Sequence, residues 1–175
     1  MPATDAVVLP ETACPSKYRI KLHPDLTDFT FDGEQSVDIQ VLEATSSIVL
    51  NAMDLKIEKA TLHAMGTTLT THAVNFDKDA ETATLEFGET IHAGDARLEM
   101  AFSGELNDKL IGFYRSEYTS QDGETRYLAT TQFEPTDARR AFPCWDEPAK
   151  KATFEVTLVF DDEYQAVSNT PAVEE

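Results

Sequence analysis

No run of apolar residues in this 175-residue chain approaches the roughly 20 needed to cross a bilayer, so no membrane-spanning helix and no membrane partner are expected. The opening, MPATDAVVLPETACP, has no basic n-region and no apolar h-region. No secretory signal is read there, and the expected compartment is the cytoplasm. Cysteine is scarce. Cys14 and Cys144 stand far apart, with no CxxC pair, which excludes both a disulfide framework and a thiolate zinc site. Two reduced thiols are expected, with Cys144 acting as a small buried apolar group. Bases are scarce too: 14 Lys and Arg face 32 Asp and Glu, a formal charge of −18. Such a surface repels phosphate backbones, so nucleic acid is not an expected ligand. The acids are spread along the chain and read as a solvated surface. The histidines, His23, His63, His72 and His92, show no HExxH spacing, and exposed or internally satisfied rings are expected. GxSxG, a phosphate loop and a Gly-rich dinucleotide fingerprint are all missing.

What is present is alternation with period two. Tyr18, Ile20 and Leu22 fall on one face, as do Val37, Ile39 and Val41. Ala83, Leu85 and Phe87 repeat the pattern, as do Leu98, Met100 and Phe102, and then Phe154, Val156, Leu158 and Phe160. Such residues suit a pleated, half-buried surface. Turn signals separate the runs: FDG at 31–33, AMGTT at 64–68, HAGD at 92–95 and QDGE at 121–124. The span 54–64 reads as a strand with a slip or bulge between its Leu55, Ile57 half and its Ala60, Leu62 half. No amphipathic helix of ten residues is found. The fold class expected is all-β, a large twisted antiparallel sheet or saddle-like β-sandwich. Residues 1–10 are expected to be flexible and 11–175 to form one β-domain.

One stretch breaks the alternation. TQFEPTDARRAFPCWDEP, at 131–148, packs three prolines, three aromatics, two arginines and four acids into eighteen residues. The aromatics Phe133, Phe142 and Trp145 can anchor it. Arg139 and Arg140 lie near Asp137, Asp146 and Glu147, so ion pairs can neutralise a buried loop. The prolines lower the entropy of its unfolded state. On these residues alone it is either a structural belt across a sheet edge or a loop that carries function.

This stretch resembles the N-terminal signature of the M1-class zinc aminopeptidases, in particular the puromycin-sensitive aminopeptidase-like branch. LPETACPSKYRIKLHPDL at 9–26, FDGEQSVDIQV at 31–41, IVLNAMDLKI at 48–57, FSGELNDKLIGFYRSEY at 102–118 and RYLATTQFEPTDARRAFPCWDEPAKKATFEVTL at 126–158 agree with that family in order, and SNTP at 168–171 follows. A collinear match from about Leu9 to Glu175 is far more specific than a lone motif.

The resemblance implies that this chain is the first domain of a four-domain enzyme, without the last strands of its β-saddle. It implies a catalytic domain outside this chain, carrying HExxH, a distant glutamate ligand and a GxMEN motif, none of which occurs here. Zinc would be the cofactor of the parent enzyme, with its ligands outside this chain and none bound by it. The chain alone is expected to be inactive, with no catalytic or metal-binding residue of its own. Its expected partners are peptide N-termini and the absent catalytic domain. The family pattern places substrate-binding roles on Gln132 and Glu134: the carboxylate at 134 would help hold the substrate's α-ammonium, and Gln132 would line the same end of the pocket. It also implies a cis bond at Glu134–Pro135, where proline makes cis accessible. Arg139, Arg140, Trp145, Asp146 and Glu147 are expected to be structural, and Tyr114 and Arg115 likewise. The competing reading is a non-catalytic aminopeptidase-like interaction or scaffold module, which would have no use for an ammonium-binding carboxylate.

Overall fold

Alternating residues become strands throughout the computed structural model, which describes residues 8–174. In chain order these are β1 (Ala13–Asp25), β2 (Thr30–Val41), β3 (Thr45–Asn51), β4 (Leu55–Ala64), β5 (Thr67–Thr70), β6 (Ala73–Asp77), β7 (Thr82–Ile91), β8 (Gly94–Glu105), β9 (Gly112–Thr119), β10 (Thr125–Gln132) and β11 (Thr153–Leu158). A single 3-10 turn, Ala138–Arg140, is the one helical element among the described residues, and no helix is long and apolar enough to cross a membrane. Six strands pair in the order β11-β1-β2-β8-β4-β5, three in the order β3-β7-β6, and β9 and β10 form a hairpin. The expected all-β class stands, with several antiparallel pairings and no closed barrel among the described residues.

The core-facing rows are those the alternation gives. Tyr18, Val37, Leu62, Leu85 and Leu98 are all buried, and with the inner residues of the three-stranded sheet they form one continuous apolar cluster. The expected slip in β4 is real: its register against β8 shifts between Ile57 and Lys59, which returns Ala60 and Leu62 to the buried face.

Two readings are corrected. FDG at 31–33 is not a turn; Gly33 lies inside β2, opposite Leu22 on one side and Phe102 on the other. The glycine is there because the Phe102 ring occupies its side-chain space: a Cβ would stand 2.2 Å from the ring. The reversal comes earlier, where Asp25 accepts the N–H groups of Thr27 and Asp28 and Phe29 takes a left-handed φ of 56°. The second correction concerns β11, which runs parallel to β1, from Lys17 opposite Thr153 to Leu22 opposite Leu158. The segment before it delivers the chain near the start of β1, so β11 must run in the same direction; parallel neighbours need such long connections. Phe154, Val156 and Leu158 share the core face of β1, yet they are 56%, 57% and 38% exposed. This row is uncovered.

Residues 1–7 of the span expected to be flexible lie outside the described residues. Within the rest of that span, Leu9 is buried and its N–H donates to Glu147 Oε1 at 2.6 Å.

Candidate functional site

Residues 133–148 run across all three sheets, and their density of rings and charges follows from that path. Backbone groups come first. Cys144 forms a two-way bridge with Asn51 at the end of β3. The Trp145 N–H donates to Tyr18 Oη of β1 at 3.2 Å, and the Asp146 N–H donates to Asn51 Oδ1 at 3.1 Å. Gln35 of β2 donates from Nε2 to the Pro143 carbonyl at 2.7 Å. A buried loop must find partners for its peptide groups, and here strand side chains supply them. Gln35 Oε1 itself is buried and has no partner among the described residues. Rings fill the space beneath: Phe142 meets Phe133, Tyr18 and Phe154 edge-on at 5.9–6.3 Å.

Charges fix the other side. Arg139 reaches Asp146 Oδ2 and Glu81 Oε2, both at 2.9 Å, and Arg140 donates to Asp137 Oδ1 at 2.8 Å and to the Asp54 carboxylate. Asp54 and Glu81 both sit in turns with left-handed backbone, φ 56° and 53°, which aim their carboxylates at the arginines. The structural role expected for Arg139, Arg140, Trp145, Asp146 and Glu147 matches this placement. Sequence reading missed their distant partners. Gln35 carried a signal, a polar residue at a core-parity position of β2; Asn51, Asp54 and Glu81 carried none.

Gln132 ends β10, paired with Gly112, and Glu134 opens the turn that follows. Both residues are exposed, and the Glu134 backbone N–H points to Gln132 Oε1 at 3.4 Å, at the long end for a hydrogen bond. The Glu134–Pro135 bond is cis, as expected. Of the four acids in 131–148, Asp137 and Asp146 hold arginines and Glu147 holds the Leu9 N–H. Among the described residues, Glu134 alone of the four has a carboxylate with no hydrogen-bond or ion-pair partner. Tyr114 and Arg115 lie on β9, and the Arg115 guanidinium stacks 4.4 Å above the Phe29 ring.

The buried thiol of Cys144 is pushed well above its ordinary pKa by desolvation, in keeping with an inert core group. No three His, Cys, Asp or Glu side chains among the described residues converge as a metal would require. The donor set present therefore does not fit a zinc centre, and His63 and His72 are engaged with Glu99 and Glu86.

Burial likewise raises the Tyr18 phenol far above the ordinary tyrosine range. The folded chain keeps this proton where the unfolded chain, with a pKa of about 10, releases it. The corresponding stability is intact below about pH 10 and is lost as the pH rises beyond it. Tyr18→Phe is expected to cost about 1–2 kcal/mol at neutral pH, because the Trp145 N–H loses its acceptor, and to flatten the alkaline decline. Denaturant unfolding from pH 7 to 11 checks both; an unchanged midpoint and an unchanged alkaline slope would refute the assignment.

The family model described as "Peptidase M1 N-terminal domain" matches residues 14–175. The chain is 44% identical over 171 residues to "Aminopeptidase M1" of Arabidopsis thaliana, covering 95% of this chain and 19% of that protein. It is 42% identical over 164 residues to "Aminopeptidase 2" of Candida albicans, covering 93% and 17%. It is 39% identical over 168 residues to the puromycin-sensitive aminopeptidase of Caenorhabditis elegans, covering 95% and 18%. The chain thus spans under a fifth of the length of these curated relatives.

Proposed function

The chain belongs to the peptidase M1 N-terminal domain family, and from that membership we propose that it is the first domain of a cytoplasmic zinc aminopeptidase and supplies part of the substrate's α-ammonium site. Residues 11–175 form this domain, and the zinc ligands and general base belong to a catalytic domain beyond these residues. The chain by itself is inactive. The observation that carries this reading is the unspent carboxylate of Glu134, beside Gln132, on a loop whose other acids are all committed. The loop backbone is bonded to β1, β2 and β3 through residues 143–146, and the Asp137 N–H closes on the Phe133 carbonyl around Glu134, so the carboxylate is presented from a fixed support, as a binding group requires.

The chemistry needed here is recognition. A carboxylate facing a peptide's free ammonium forms a charge-assisted, directional hydrogen bond, whereas an internal amide offers no charge. Glu134 and Gln132 would select a chain terminus and fix its orientation. Zinc, held elsewhere, would supply Lewis-acid polarisation of the scissile carbonyl. The uncovered Phe154, Val156 and Leu158 row supports a larger assembly, since exposed apolar rows of this kind mark faces that pack on further structure.

The test is to read the source transcript beyond the codon for Glu175. The expected outcome is an open frame continuing through GxMEN and HExxH. A stop codon soon after Glu175 would overturn the reading in favour of a scaffold module with the same fold.

A further inference from the structure

Arg140 touches a neighbour of each half of the proposed amine site, Asp137 beyond Glu134 and Gly112 opposite Gln132. From Nε it donates to Asp137 Oδ1 at 2.8 Å. The Asp137 N–H in turn donates to the Phe133 carbonyl at 2.8 Å, closing the turn that carries Glu134. The aliphatic stem of Arg140 lies against Gly112, the residue paired with Gln132 across the hairpin. A Cβ on Gly112 would stand 2.5 Å from Arg140 Cβ, and its φ of 69° is also one that glycine favours. One side chain therefore registers the end of the ladder against the turn beside it.

The electrostatics allow this placement. The Arg140 guanidinium is committed to Asp137 and Asp54, and no ion pair joins it to Glu134 among the described residues. With Glu81 at 4.0 Å as a third, longer partner, three carboxylates surround one cation, so the arginine can support Glu134 without competing with an incoming ammonium. The planar fork suits this task, because it holds two acceptors in fixed directions, as a lysine ammonium does not.

Resting on the amine-site reading above, we propose that Arg140 is a positioning residue for amine recognition: by tying Asp137 to Gly112, it sets the Glu134 carboxylate relative to Gln132. A purely structural role would lower stability and weaken every ligand alike. A positioning role weakens ligands that carry the amine and spares those that lack it.

The test uses the full-length aminopeptidase and two competitive ligands, a dipeptide and its des-amino counterpart. The ratio of their affinities reports amine recognition. Arg140→Met keeps the stem and removes the fork; it is expected to lower that ratio about tenfold, with the des-amino ligand unchanged, since small displacements of an orienting group carry costs of this order. An unchanged ratio, including equal weakening of both ligands, overturns the proposal. If Arg140→Met does not fold, Asp137→Asn decides: a severalfold fall in the ratio supports the proposal, and an unchanged ratio overturns it. Glu134→Gln is the reference. If it leaves the ratio unchanged, the amine-site reading fails and the proposal with it. If it collapses the ratio while the Arg140 and Asp137 variants leave it intact, only the positioning role fails.

Discussion

Glu134→Gln in the aminopeptidase that carries this domain is expected to lower kcat/KM for free-amine peptides by about 100-fold, the scale of losing one charged partner of a desolvated pair. Glutamine keeps the length and a carbonyl acceptor, so the loss isolates the charge. Glu134 is exposed in this chain, where water would screen an ammonium strongly. The effect becomes large only when substrate and the rest of the enzyme close around the pair and lower the effective dielectric. The same substitution is therefore expected to be nearly neutral for folding: the side chain has no hydrogen-bond or ion-pair partner among the described residues to lose. That combination, a large kinetic effect with unchanged unfolding, separates a binding role from a structural one. Parallel measurement of kcat/KM and of the denaturation midpoint checks it. Kinetics within twofold of the parent enzyme would refute the role of Glu134.

Much of the fold was legible because period-two alternation reports which side chains meet a core. The faces of β1, β2, β7 and β8 follow from it directly, and so does the slip in β4. The reading of Gly33 failed because glycine has two uses, freeing the backbone or making room. Only the Phe102 ring, 69 positions further along the chain, decides between them. For β11 the pattern is right and the burial is not: alternation marks the face that would be covered and says nothing of whether its cover lies within the same chain. The candidate site shows a similar division. Gln132 and Glu134 came from the resemblance, and no periodicity marks them. Their support comes from partners that no local pattern reveals, with Glu81, Asn51, Gln35 and Leu9 lying 58, 95, 108 and 138 positions from the loop residues they meet.

Arg139→Met is expected to be the most damaging single change in this loop, at about 2–3 kcal/mol. The guanidinium is 11% exposed and bonds two carboxylates at 2.9 Å, one from the loop and one from the turn before β7. Desolvating such a cluster costs nearly as much as the attraction returns, so its presence alone is no measure of stability. Removing only the cation is different, because it leaves Asp146, 16% exposed, without its cation and Glu81 with only the longer 4.0 Å contact to Arg140 Nη2. The figure lies below the 3–5 kcal/mol seen for fully buried pairs because Glu81 is 32% exposed and water relieves part of its charge. A compensated variant is expected to show the opposite effect. Adding Glu81→Gln and Asp146→Asn to Arg139→Met removes the stranded charges and is expected to recover most of the loss, whereas independent sites would add their costs. Denaturant midpoints of the single and triple variants decide the matter. A triple variant no more stable than Arg139→Met would show that the arginine acts through the packing of its stem and its bond from Nη2 to the Asp146 carbonyl at 3.4 Å, and not through the carboxylates it holds.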